Sequence, residues 1–139
     1  MGVQDSEWAQ QRGRAIAAHS ADRARKEAAE AQQAEAMLLE FVQSARARGI
    51  PPVALVARSY DGRHRYKTGL RGWYLSVDER LAVAEGGQFY ILSVRGSIRE
   101  RLTGTTLTPA RPRLVIGEGG RDGDRIALRT LLERRLEPT

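Results

Sequence analysis

The first third of the chain constrains the fold most, because it has the pattern of a single helix too long for a small globule. From Ser6 to Arg48 there is no proline and only one glycine, Gly13, among many alanine, glutamate, glutamine and arginine residues, which are strong helix formers. Asp5 or Ser6 can cap the start, and the Gly-Ile-Pro-Pro sequence from Gly49 predicts the end. Such a helix extends roughly 65 Å, so part of it must leave the body of the protein.

The two halves of this helix differ in the apolar area that they can bury. The second half carries a stripe wide enough to pack on a sheet or another helix, formed by Met37, Leu38, Phe41, Val42 and Ala45. Residues 9–36 offer only Ile16 and alanines as apolar groups. We therefore predict an extended helical arm, residues 1–48, whose first half is frayed or depends on a partner.

A long coiled coil is a more specific interpretation of the arm, but the residues at the heptad core positions do not favour it. With Leu38 and Phe41 at the a and d positions, the remaining core positions hold one charged residue and four alanines, namely Ala24, Glu27, Ala31, Ala34 and Ala45. A short dimer contact fits this seam and a long zipper does not. The candidate residues for a protein partner or a second copy are Ile16, Met37, Leu38 and Phe41.

Beyond Pro52, β-branched and aromatic residues punctuated by glycine predict a small antiparallel sheet. Gly86-Gly87 is a two-residue connection that suits a hairpin between strands at 81–85 and 88–94. A strand at 70–77 precedes it and pairs with the first hairpin strand through a turn at Asp78-Glu79. The sequence therefore predicts a meander of at least three strands.

The C-terminal third is predicted to add short elements and a final helix. Residues 97–102 fit one or two helical turns, and 105–108 and 114–116 are short strand candidates beside prolines. The last helix, 126–136, carries Leu128, Leu131, Leu132 and Leu136 on one face. With both helical faces on one side of the sheet, the fold class is α+β: a long N-terminal helix, then a small antiparallel sheet packed by a short C-terminal helix, with residues 49–139 as a basic globular domain.

Composition and motifs exclude several classes of function. The chain has no cysteine and two histidines, so a disulfide scaffold, a thiol nucleophile and a His-based metal site are not expected. The glycine-rich stretch 117–124 lacks the ending of a P-loop and the full ligand pattern of a calcium loop. Neither Ser59 nor Ser97 lies in a recognisable nucleophile turn. No apolar run is long enough for a membrane span, and residues 8–14 lack the apolar core of a signal peptide. We expect a cytoplasmic, non-enzymatic protein with no metal, no cofactor and no contact with a membrane.

The net charge of +6 lies entirely in the second part of the chain. Residues 1–48 hold seven basic and seven acidic side chains, whereas residues 49–139 hold sixteen and ten. The richest basic segment, 58–73, has aromatic rings interleaved, which suits RNA or single-stranded DNA. The candidate nucleic-acid-binding residues are Arg58, Arg63, Arg65, Lys67, Arg71, Arg95, Arg99 and Arg101, with Tyr66 as the stacking ring.

Two functional hypotheses follow from these patterns. The first is an accessory module that contacts a polyanion, RNA or DNA, through its arginine-rich surface, although no known nucleic-acid-binding motif is present. The alternative is a protein-protein adaptor or self-associating scaffold that acts through the N-terminal helix. The first hypothesis requires that the positive side chains gather on one face of the body without being paired to neighbouring acids.

Overall fold

Helix α1 runs from Val3 to Ala47 in the computed structural model, which describes residues 3–95, 107–117 and 125–137. The helices and strands are α1 (Val3–Ala47), β1 (Val53–Ser59), β2 (Arg65–Tyr74), β3 (Leu81–Ala84), β4 (Phe89–Ile91), β5 (Ser93–Val94), β6 (Val115–Ile116), β7 (Ile126–Ala127) and α2 (Leu128–Leu136). The predicted α+β class is confirmed.

Helix α1 has an exposed half and a packed half. Every residue from 4 to 27 is exposed, whereas Glu30 binds the body, because its Oε1 accepts a hydrogen bond from the Leu114 amide at 3.0 Å. Beyond that point one face is buried, with Ala31, Ala34, Leu38, Phe41, Val42 and Ala45. The helix ends as expected, because Gly49 adopts a φ of 73° and the Ile50 amide donates a hydrogen bond to the Ala45 carbonyl at 2.9 Å.

The five-stranded sheet curls until its two edge strands meet. Its strand order is β4-β3-β2-β1-β5, so β4 and β5 lie at opposite edges, yet Leu92 alone separates them in the chain. The Leu92 amide donates to the Arg80 carbonyl at 2.7 Å, and its own carbonyl accepts from the Arg58 amide at 2.8 Å. The sheet therefore has an inner face that is enclosed and an outer face that is available for packing.

Strand alternation separates two apolar cores across this sheet. The inner core consists of Leu55, Ala57, Tyr66, Ala82, Ala84, Tyr90 and Leu92. The outer core joins the sheet to both helices through Trp73, Leu75, Val83 and Phe89 on the strands, Ala34, Leu38, Phe41, Val42 and Ala45 on α1, and Leu128 and Leu132 on α2. Both helices thus cover one part of the outer face, as predicted, and they leave the outer face of β1 and the first half of β2 uncovered.

The strands differ from the sequence prediction mainly before Leu70. The predicted hairpin around Gly86-Gly87 and its pairing with the preceding strand are confirmed. However, β1 was not predicted, and β2 begins at Arg65 rather than at Leu70, so the basic segment forms a hairpin. A bulge interrupts this hairpin, because the register moves from Val56↔Lys67 to Ala54↔Arg71.

The C-terminal elements agree with the prediction in part. Helix α2 begins at Leu128, because Ile126–Ala127 instead pairs with Val115–Ile116 in a two-stranded ribbon. Residues 107–108 form no strand. The helical turns predicted at 97–102 and residues 105–106 lie outside the described residues.

Candidate nucleic-acid interface

The register of the β1–β2 hairpin brings three cations together on the outer face of the sheet. Arg58 lies directly opposite Arg65, and Lys67 lies opposite Val56, two residues along the same face. The residues between them, Ala57 and Tyr66, point into the inner core. Like charges directly opposite each other on antiparallel strands destabilise a sheet, so the fold tolerates a local electrostatic cost here. Such costs are common at functional sites.

Two further cations flank this trio. Arg63 lies in the turn between β1 and β2, and Arg95 follows β5 two residues after Ser93, which is registered with Arg58. We call these five residues the basic strip: Arg58, Arg63, Arg65, Lys67 and Arg95.

Most of the basic strip forms no ion pair among the described residues. The Arg58 guanidinium lies 3.6 Å from the Glu79 carboxylate, and both side chains remain partly exposed. Arg63, Arg65, Lys67 and Arg95 are exposed and make no ion pair within the described part of the chain. The strip therefore keeps a positive potential that a phosphate can neutralise.

The turn at the end of the strip is held by its own polar side chains. Asp61 Oδ1 accepts hydrogen bonds from the Ser59 hydroxyl at 2.5 Å and from the Arg63 amide at 2.9 Å. The Ser59 hydroxyl oxygen in turn accepts from the His64 amide at 3.1 Å, and Gly62 provides the φ of 75°. This arrangement leaves the Tyr60 ring 67% exposed beside the strip.

Acidification is expected to loosen this turn. The hydrogen bond from the Ser59 hydroxyl, then that from the Arg63 amide, lowers the pKa of Asp61, and the charges of Arg63 and His64 add to this effect. Because the pKa is lower in the folded chain, the contribution of the carboxylate is complete above its unfolded pKa of about 3.9 and is lost as the pH falls through the folded value. The protection of the Arg63 amide against hydrogen exchange, relative to its intrinsic rate, should therefore fall only in that acidic range. An Asp61→Asn variant serves as the control, and an identical pH response in that variant would contradict the assignment.

The structure places the other predicted nucleic-acid-binding residues away from the strip. Tyr66 is not a stacking ring, because it is 2% exposed in the inner core, where its hydroxyl has no hydrogen-bond partner among the described residues. Arg71 lies beyond the bulge, where its guanidinium donates to the Pro52 carbonyl at 3.1 Å and lies 3.8 Å from Glu85. Arg99 and Arg101 lie outside the described residues.

The second basic group of the sequence lies where the arm meets the body. Arg111 and Arg113 line a cleft of about 250 Å³ together with Glu27 and Glu30 of α1. Acidic side chains thus share this cleft with the two arginines, which makes it a weaker site for an anion than the basic strip.

The predicted partner-binding residues of α1 divide between core and solvent. Leu38 and Phe41 are buried in the outer core, and Met37 packs against it, so their apolar area already lies against the sheet and α2. Ile16 is 60% exposed on the arm.

The sequence did not indicate that Tyr60 is the exposed ring, or that Arg58 and Arg65 lie opposite each other on β1 and β2. The signal for the second was present, because Leu55, Ala57 and Ser59 alternate with Val56 and Arg58 in β1. The residue opposite each arginine depends on the strand register, which the turn sets.

The remaining chemistry of the described residues is limited. No cluster of three or more histidine, cysteine, aspartate or glutamate side chains there could hold a metal ion, and no described helix is long and apolar enough to cross a membrane. No protein-family model, curated protein or solved structure matches the chain. A functional assignment therefore depends on the geometry of the basic strip.

Proposed function

We propose that the protein is a non-enzymatic accessory module that binds a polyanion, RNA or DNA, through the basic strip. The observation that carries the proposal is the pairing of Arg58 and Arg65 across β1 and β2, with Lys67 on the same face. A cytoplasmic location, which the lack of cysteine favours, belongs to the same proposal.

Burial and covering elements support this choice of surface. Both helices pack on the part of the outer face that carries Trp73 and Phe89, so the face with Arg65 and Lys67 stays open to a ligand. The strands fix the backbone positions from which Arg58, Arg65 and Lys67 extend on one face, where they can contact phosphates of one ligand. Each phosphate that they neutralise releases a counterion, which makes the affinity depend on salt.

The Tyr60 ring favours single strands over duplexes. Base stacking on an exposed aromatic ring requires an unpaired base, and it tolerates any sequence. Tyr60 belongs to the turn that Asp61 holds, between Ser59 and Arg63 in the chain, and it is 67% exposed. A single strand that follows the strip could therefore place phosphates on the cations and one base on the ring.

Removal of two cations from the strip tests the proposal. In an Arg65→Ala/Lys67→Ala variant, the affinity for mixed-sequence single-stranded RNA or DNA is expected to fall. The slope of log K against log salt should decrease in magnitude by about 1.4, since each lost phosphate contact removes about 0.7. Fluorescence anisotropy across a salt series measures both quantities.

A matched control separates the effect of the strip on affinity from the effect of net charge. Arg129 and Arg134 are exposed on α2, outside the strip, so Arg129→Ala/Arg134→Ala removes the same net charge. The control should retain the affinity and the salt slope of the unmodified protein. Equal losses in the two double variants, or an affinity that does not respond to salt, would refute a site on the strip.

A further inference from the structure

The exposed half of α1 continues the face that the packed half uses against the sheet. Five α-helical turns contain about 18 residues, so each buried residue of α1 has a counterpart on the same face that many positions earlier. The counterparts of Ala31, Ala34, Leu38, Phe41, Val42 and Ala45 are Gly13, Ile16, Ser20, Arg23, Ala24 and Glu27. All six counterparts are exposed. This arm face is thus the continuation of an interface that already exists within the chain.

No contact or backbone conformation among the described residues requires a glycine at position 13 on this arm face. Glycine is among the poorest helix formers, and a Cβ built at Gly13 meets no atom within 4 Å. Its φ is not in the left-handed region either. A glycine on a helix surface does allow another helix to approach closely, and the exposed Ile16 lies one turn away on the same face. In an antiparallel pair centred between these two residues, Ile16 of each copy packs over Gly13 of the other.

The charges of the arm favour the same antiparallel register. Residues equally distant from the midpoint between Gly13 and Ile16 face one another, which brings Asp5 close to Arg23 and Lys26 of the second copy. A parallel pair in register would instead place each of these charges beside its own kind.

The position of the body agrees with this register. Glu27 and Glu30 border the body, where they line a cleft with Arg111 and Arg113, so the two bodies lie at opposite ends of the antiparallel pair. The exposed stretch 4–27, about 36 Å of helix, then overlaps with its copy without a collision between the bodies.

We propose that two copies of this chain associate through residues 4–27 of α1 as an antiparallel helix pair centred between Gly13 and Ile16. The inference is independent of the basic strip and of its proposed ligand. Ile16 packs in the centre of the seam, and Asp5 forms ion pairs with Arg23 and Lys26 across it.

Complementary charge reversals in the full-length chain test the pairing. Asp5→Arg places cations against cations in a pair of identical copies, and Arg23→Glu/Lys26→Glu places anions against anions. Each variant alone should lose most of the dimer that the unmodified chain forms over a concentration series in analytical ultracentrifugation. An equimolar mixture of the two should regain it, because every cross-copy pair then has opposite charges. Failure of the mixture to regain the dimer, or an unmodified chain that stays monomeric, would overturn the proposal.

A distance measurement tests the direction of the helices. The chain has no cysteine, so Gln32→Cys on the exposed surface of α1 takes a single spin label. Antiparallel packing in the proposed register places the two labelled backbone positions roughly 50 Å apart, whereas a parallel pair places them roughly 10 Å apart. A short distance would overturn the antiparallel arrangement. A dimer that persists in an Ile16→Asp variant would show that the seam lies elsewhere, and would overturn the proposal too.

Discussion

Substitution of Gly72 by alanine is expected to lower the free energy of unfolding by about 3 kcal/mol, the upper part of the usual range for overpacking. Gly72 lies opposite Ala84 where β2 pairs with β3. A Cβ added there would lie 2.0 Å from the Val83 carbonyl oxygen and 2.7 Å from the Ala84 Cα. These are backbone atoms, which cannot rotate aside as a side chain can, so the two strands must separate locally. Urea unfolding followed by circular dichroism measures the loss.

Gly69 provides the control for this substitution. It also lies in β2, but a Cβ there meets no atom within 4 Å, and its φ is 75°. Gly69→Ala should therefore cost only the strain of a left-handed residue, about 1–2 kcal/mol. The steric explanation fails if Gly72→Ala is no more destabilising than Gly69→Ala.

Local signals explain why both helices could be predicted from the sequence. Helix propensity, the 3.6-residue period and the glycine-proline stop all act within a few residues, and α1 ends at Ala47, one residue before the predicted boundary. The face of α1 that packs on the sheet was predicted because its apolar residues recur with the helical period. The hairpin at Gly86-Gly87 was predicted for the same kind of reason, since its turn is encoded in two residues.

The β1–β2 hairpin shows where local reasoning fails. The alternation of β2 is obscured by the bulge and by residues such as Thr68 and Gly69, which carry no strong apolar signal. The basic segment therefore had the composition of a loop. Closure of the sheet at Leu92 depends on contacts with Arg58 and Arg80, and no short window of sequence contains all three residues.

The candidate interface was predicted in composition but not in arrangement. The sequence alone identifies the cluster of cations, but the side on which each one lies depends on the register and on the bulge. Lys67 stays on the open face, while Tyr66 next to it turns into the inner core. Arg71 keeps the outward direction, yet Glu85 and the Pro52 carbonyl hold it away from the strip. The positions of the cations thus depend on strand geometry that composition does not reveal.

Two adjacent leucines of α1 are expected to differ sharply in their contribution to stability. Leu38 is fully buried in the outer core, whereas Leu39 is 50% exposed on the neighbouring face of the helix. Leu38→Ala should lower the free energy of unfolding by about 3 kcal/mol, because it removes buried area and leaves a cavity beneath the helix. Leu39→Ala changes helix propensity equally and should cost less than about 1 kcal/mol. Urea unfolding of the body measures both, followed by the fluorescence of the buried Trp73 in a Trp8→Phe background. Similar losses in the two variants would show that the packed half of α1 is not part of the cooperative core. The exposed part of the helix would then extend well past Glu30 toward Gly49.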